Sequence, residues 1–330
     1  MKPQHRCTIY LTRLLAAAFA LLSALAVTAQ AQEFPNKPIK IVVPYPPGGA
    51  SDTVSRVIAE RLGSALSESV VIENKPGANG IIASSYVAKA PADGHTLLMG
   101  NVGPNAINPS IYKLPYDAQK DFSPIILTNS VPLMLVVRSD SGINSMADLI
   151  AAAKSKPNAM FYSTGGTGTA GHFAMELFMM KAGIKMQRVS YKGDGLALQD
   201  MLGGRIDAMF TTGASGLPHV HSGRLKAIAV GASKQVDTVP GVKTVSEQGM
   251  PGFEAVSWGG ILAPANTPEP VVRKLNAEIN KVLEIPEVRV ALAKTGSETV
   301  GGTPAAFKEY IASEMKKWAE VAKLANIKGE

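Results

Sequence analysis

The chain has 330 residues, 46% of them hydrophobic and 18% charged, with 31 Gly and 22 Pro. This is ordinary globular composition, which excludes disordered, collagen-like and fibrous classes, and the length suggests about two domains. The formal charge of +7 is spread without a basic run, so nothing marks a nucleic-acid partner, while small anionic ligands are mildly favoured.

Residues 1–31 read as a secretory signal peptide. Lys2, Arg6 and Arg13 precede an apolar run at 14–27, too short to span a bilayer, and Ala29-Gln30-Ala31 supplies a small-x-small cleavage pattern. The expected product starts at Gln32, with thirty basic against 26 acidic residues, a charge of +4. Cleavage also removes Cys7, the chain's single cysteine. The mature protein is therefore expected to lack disulfides, thiol nucleophiles and thiolate metal sites. Cys7 precedes the apolar run, so it is not placed for lipid attachment.

Beyond the leader, short β-rich runs alternate with helical periodicity, the signature of parallel α/β layers. A buried strand at 39–43 ends in Pro44-Tyr45-Pro46-Pro47-Gly48-Gly49, which no helix or central strand can contain. The helix that follows is expected to be capped by Ser51 or Asp52, with Val54, Val57, Ile58, Leu62, Ala65 and Leu66 as its apolar face. A strand at 70–73, a loop at 76–80, a helix at 81–90 and a strand at 96–99 come next. A β-rich run at 125–137 is broken by Thr128-Asn129-Ser130 and by Pro132. Ser145 to Asp148 resembles a capping box. Strands are predicted at 160–162, 188–191, 206–210 and 225–230, with helices at 172–182 and 196–202. A second long β run occupies 255–262, and two helices opened by Thr267-Pro268 and Thr303-Pro304 close the sequence.

The two long β runs separate a middle block from both ends. We therefore expect two α/β lobes, residues 32–127 plus 258–330 and residues 128–257, with two crossings between them. Ligands of such sheets lie beyond strand C-termini, at helix N-termini. Two Gly-rich strand-to-helix loops stand there, one per lobe. The first, Tyr45 to Asp52, contains Gly48, Gly49 and Ser51. The second, Ser163 to His172, contains Thr164, Gly166, Thr167, Gly168 and Thr169. Glycines let backbone N–H groups approach a ligand, and the helices behind add positive dipole ends, an arrangement suited to a carboxylate. Gly166, Gly168 and Thr169 are expected to present donors opposite Gly48 and Gly49. The alternative is that both loops are merely tight turns.

Residues 166–171 also fit G-x-G-x-x-G, with Asp194 placed as a ribose-binding acid, so an exported dinucleotide-dependent enzyme is a competing reading. The leader argues against it, because exported proteins meet little free nicotinamide cofactor. No H-E-x-x-H, G-x-S-x-G or Walker-type motif occurs. Asp52 reads as a structural cap. His172 either touches a ligand or serves the loop carbonyls, and Tyr191 to Asp194 either lines the cleft or forms a solvated turn. Asp207, placed mid-strand, needs a partner and is a candidate cleft residue. His219 and His221 read as a solvated loop.

At these residues the sequence resembles a known family, the periplasmic solute-binding receptors of tripartite tricarboxylate transporters, or Bug family. The resemblance runs through Ile41 to Gly49 with Asp52, Glu73-Asn74-Lys75-Pro76-Gly77-Ala78, Asp93 to Leu98, Ala106 to Tyr112, Asp121 to Ile125, the Gly/Thr loop with His172, and Leu202 to Asp207. It implies a type II periplasmic-binding-protein fold whose two lobes close on a carboxylate. It also implies that the loops matching Tyr45 to Asp52 and Thr164 to Thr169 grip that carboxylate, and that the segment from Asn101 to Asn108 lines the rest of the pocket. The expected protein is a periplasmic monomer that uses no cofactor, binds an organic di- or tricarboxylate or a related acid, and delivers it to membrane permease subunits. A ligand sensor feeding a signalling partner is a further alternative.

Overall fold

Buried aliphatic runs set the strand positions. β1 (Ile39–Val43), buried at every position but Lys40, lies between two parallel neighbours, β2 (Val70–Asn74) and β3 (Thr96–Asn101). Its exit loop leads into α1 (Ala50–Leu66), and α2 (Ile81–Ala88) precedes β3. The computed structural model describes residues 34–329; the leader and Cys7 lie outside the described residues.

The 17-residue β4 (Phe122–Arg138) is the spine of the molecule. After it come α3 (Met146–Ser155), β5 (Phe161–Thr164), α4 (Ala170–Ala182), β6 (Gln187–Ser190), α5 (Asp194–Leu202), β7 (Ala208–Thr212), α6 (Gly213–His221) and β8 (Leu225–Val230). The chain then returns through β9 (Val256–Pro264), α7 (Glu269–Glu284), α8 (Pro286–Ala293), β10 (Glu298–Thr299) and α9 (Pro304–Leu324). Strand order along the sheet is β2-β1-β3-β9-β4-β7-β5-β6, with β8 and β10 also on β4. The N-terminal half of β4 lies between β9 and β10, and its C-terminal half between β7 and β8, all antiparallel.

Pro132 does not interrupt β4 as its sequence suggested. It makes the last pair with β9, opposite Val256, and Leu133 makes the first pair with β7, opposite Thr212. The missing N–H thus falls where the strand passes from one set of partners to the other, and costs little there. The strand absorbs Thr128 to Ser130 through register shifts near Pro124 and Leu127.

Side-chain alternation on β4 divides two cores. Leu133, Leu135 and Val137 enter the larger one, with Phe173, Phe178, Phe210 and Phe253, whereas Met134 and Val136 pack with Leu198, Met201, Met209 and Leu225. α9 closes the larger core. Trp318 meets Phe173 of α4 edge-on at 5.8 Å, and the buried Glu314 carboxylate accepts from the indole N–H groups of Trp258 (3.1 Å) and Trp318 (3.0 Å).

Several boundaries differ from the sequence reading. α1 starts at Ala50 with Gly49 as its cap, so neither Ser51 nor Asp52 is the N-cap. His219 and His221 lie not in a loop but in the last turn of α6, whose periodicity Gly213, Gly216 and Pro218 mask, and His219 Nδ1 lies 2.8 Å from Arg224 Nη2. Three helices, not two, end the chain, since α8 starts at Pro286 directly after α7. Ser145 does cap α3, accepting from the Asp148 N–H. Among the described residues no helix is long and apolar enough to cross a membrane.

Candidate functional site

The first loop is held from behind. The buried Asp52 carboxylate accepts from the Gly48 N–H (2.9 Å), Arg56 Nε (2.9 Å) and Asn74 Nδ2 (2.9 Å), and Asn74 Nδ2 also donates to the Tyr45 carbonyl (3.0 Å). Burial opposes the charge, yet the Arg56, Gly48 and Asn74 hydrogen bonds outweigh it and hold the Asp52 carboxyl at about 2. Asp52 therefore sits beneath the loop and spends its oxygens there. The first-turn N–H groups of α1 at Ala50 and Ser51 have no intrahelical acceptor, and both residues line a cavity.

The second loop spends many of its polar groups internally. Thr169 caps α4: its hydroxyl accepts from the His172 N–H and donates to the Gly166 carbonyl (2.9 Å). The Gly168 N–H donates to His172 Nδ1 (3.3 Å), which ties the buried His172 ring to the loop. Gly168 has φ +79°, and a Cβ there would meet Asn79 Nδ2 and Asn108 Oδ1. Thr164 is fully buried under the turn, and the Thr167 hydroxyl accepts from Arg188 Nη1 (2.9 Å). What the loop leaves unpaired by helix geometry is the start of α4 itself, Ala170 and Gly171. Gly171 has no room for a side chain because a Cβ would press on the Phe210 carbonyl of β7, so α4 begins directly against the sheet.

Asn79 ties the second loop to Asn108. It stands in a short helical turn before α2, in a left-handed conformation (φ +47°). Its amide donates to Asn108 Oδ1 (2.9 Å) and to the Gly168 carbonyl (3.0 Å), while Asn108 Nδ2 donates back to the Asn79 carbonyl (3.0 Å). The fully buried Asn108 thus serves the clasp.

Four helix N-termini meet at a cavity of about 430 Å³. Ala50 and Ser51 of α1, Thr169, Ala170 and Gly171 of α4, Gly193 and Asp194 of α5, and Thr212 and Ser215 of α6 all contribute to its wall. Tyr45, Asn79, Asn101 and Ser257 add polar lining, with Leu133 and Phe210 among the apolar residues. Asn101 Nδ2 donates to the Trp258 carbonyl (3.2 Å) and Ser51 Oγ (3.3 Å). A neighbouring depression of about 460 Å³ shares Asn79, Gly165 and Thr169 and adds Gly166, Thr167, Tyr191 and Lys192. Aligned helix dipoles and orphan N–H groups of this kind attract an anion without a formal positive charge.

Of the residues singled out from sequence, Tyr45, Gly49, Ser51, Asn101 and Thr169 line the main cavity, and Gly166 and Thr167 line the depression beside it. Gly48, Asp52, Asn108, Thr164, Gly168 and His172 support the walls from behind. Asp207 is displaced from the cleft. It precedes β7, its N–H donates to the Phe161 carbonyl and its Oδ2 accepts from the Phe161 N–H (2.7 Å), which pins the start of β5, the end remote from the cavity. Asp194 faces Thr211 and Thr212 from the head of α5, not a ribose-binding turn. The sequence reading missed Asn79 and the α6 N-terminus. The first had a signal in Pro76-Gly77-Ala78-Asn79-Gly80, a loop with a residue tolerant of left-handed backbone.

Comparison with known proteins gives the family of the chain. Residues 54–327 match the family model described as "Tripartite tricarboxylate transporter family receptor". Protein BugT of Bordetella pertussis is 35% identical over 317 residues, covering 95% of this chain and 97% of that protein. Among solved structures, Rhodopseudomonas palustris Rpa4515 with adipate superposes with a TM-score of 0.81 at 35% identity, covering 90% of this chain and 99% of the other. MatC from the same organism, with bound malate, gives a TM-score of 0.76 at 31% identity, covering 87% and 99%. These relatives share the two-lobe fold of periplasmic binding proteins, and the chain belongs to the receptor family of the tripartite tricarboxylate transporters.

Proposed function

We propose that this receptor holds the carboxylate of a small organic acid in the 430 Å³ cavity, at the N-termini of α1 and α4. The observation that carries the reading is the meeting of four helix N-termini on one polar wall. Rpa4515 and MatC, with adipate and malate bound, show that relatives take carboxylates, the group such a wall would hold. Backbone donors suit capture and release of a charged solute, since they need no proton transfer and form no covalent bond. We read the protein as a carrier and not a catalyst, exported after cleavage behind Ala31, acting as a monomer in the periplasm and passing its ligand to membrane permease subunits. In this reading the lobes are residues 32–127 plus 258–330 and residues 128–257, hinged where β4 changes partners at Pro132 and Leu133.

A thermal-shift screen of mono-, di- and tricarboxylates and amino acids tests the proposal. At least one carboxylate should raise the melting temperature in a concentration-dependent way, because a ligand that binds only the folded state stabilises it. Flat melting curves across the whole screen would refute it.

A further inference from the structure

The charge on the cavity wall narrows the solute further. Among the described residues that line the cavity, Asp194 is the one carrying a formal charge, and no Lys, Arg or His joins it. We infer that Asp194 is a specificity residue that receives a positively charged hydrogen-bond donor of the solute, an ammonium group, while the solute carboxylate lies at the N-termini of α1 and α4. The ligand class is then an amino carboxylic acid, which deepens, and rests on, the carboxylate reading above.

Asp194 opens α5, and its carboxylate points back toward β7. The Thr211 hydroxyl donates to Oδ2 at 3.1 Å, and the Thr212 N–H adds a second bond to the same carboxylate. Both donors are neutral. A carboxylate offers about four acceptor positions, so the protein fills only part of its capacity. The backbone of Gly165 lies directly under Oδ1, and a methyl group at residue 165 would collide with that oxygen. Gly165 itself lines the cavity, which keeps the carboxylate at the wall and unshielded by a side chain. Burial raises the Asp194 carboxyl above its ordinary range despite these bonds, so the protein's own donors do not compensate the charge. Lys192 lines the neighbouring depression, and Arg188 is bonded to Thr167.

A dicarboxylate would bring a second negative charge to this wall, where like charges in a poorly solvated site repel strongly. An amino acid presents one carboxylate to the helix N-termini and one ammonium to Asp194, satisfying both ends of the cavity.

Calorimetry with matched probes decides the matter. 4-Aminobutanoate against succinate, 6-aminohexanoate against adipate, and leucine against 4-methylpentanoate each vary the charge at near-constant size. The inference predicts that at least one amino acid binds tenfold or more tightly than its matched partner. Asp194→Asn should erase that preference, and Thr211→Val, which keeps the charge, should retain it. The wild-type ratio is decisive even if Asp194→Asn proves unstable. A dicarboxylate or simple acid bound as tightly as the matched amino acid in every pair would overturn the inference and leave the carboxylate site standing, as would a preference that survives Asp194→Asn. Absence of binding by every probe, together with a flat thermal-shift screen, would instead remove the carboxylate reading on which the inference rests.

Discussion

Enclosed by Gly48, Arg56 and Asn74, the Asp52 carboxylate stays ionised far into acid. Its folded value of about 2 lies below the ordinary 3.8, so its stabilisation is present above the ordinary range and is lost as pH falls toward 2. Asp52→Asn should cost about 2 kcal/mol at neutral pH, and the gap from wild type should close between about pH 4 and 2 in urea titrations. A gap independent of pH would show that packing, not charge, makes the contribution. Asp194 has the opposite sign. Its carboxyl is raised, so ionisation opposes folding, and the penalty grows as pH rises from the ordinary 3.8 to the folded value and stays constant above it. Ligand-free Asp194→Asn should melt above wild type at pH 7; a lower melting temperature would mean that the Thr211 bond outweighs the charge. In the second loop, Thr169→Val removes the cap of α4 and should cost about 1 kcal/mol even without ligand. Gly168→Val combines left-handed backbone with a collision against Asn79 and Asn108, so its loss in equilibrium unfolding should exceed that of Thr169→Val.

Between elements, the Asn79 clasp is the contact that ties the turn before α2 to the turn before α4, across 89 residues of sequence. Asn79→Gly tests it cleanly, because glycine tolerates the left-handed backbone at this position. The ligand-free variant should show a larger radius of gyration in solution scattering than the wild type, and an identical profile would mean the clasp does not restrain the lobes. Contacts of this range explain what the sequence left hidden. β1, α1 and β8 were legible because their apolar periodicity is local, and Ser145 was legible because a cap acts within three residues. Asn79 and Asn108 were not paired in advance, since nothing local says which residues 29 apart will exchange amide bonds. α6 escaped because Gly213, Gly216 and Pro218 are poor helix formers that tertiary packing overrides; Gly216 lies where a side chain would strike Thr211 and Met134. Asp207 was misplaced by two residues of strand register, enough to move it from the proposed cleft to the opposite end of β7.

Across the whole molecule, β4 supplies continuity and the loops supply the site. One strand passes between both sets of partners, so the helix N-termini of α1 on one side and of α4, α5 and α6 on the other converge without a side-chain cation. α9 spans the same division, with Trp318 against Phe173 and Glu314 joined to Trp258. A continuous strand that changes partners at Pro132 and Leu133 fits the proposed hinge between the lobes. The most direct test of this account is the crystal structure of the protein with the tightest carboxylate from the screen. The account predicts carboxylate oxygens within hydrogen-bond distance of backbone N–H groups at Ala50 or Ser51 and at Ala170 or Gly171. A ligand whose carboxylate lies instead beside Lys192 and Arg188, with the four helix N-termini uncontacted, would contradict it.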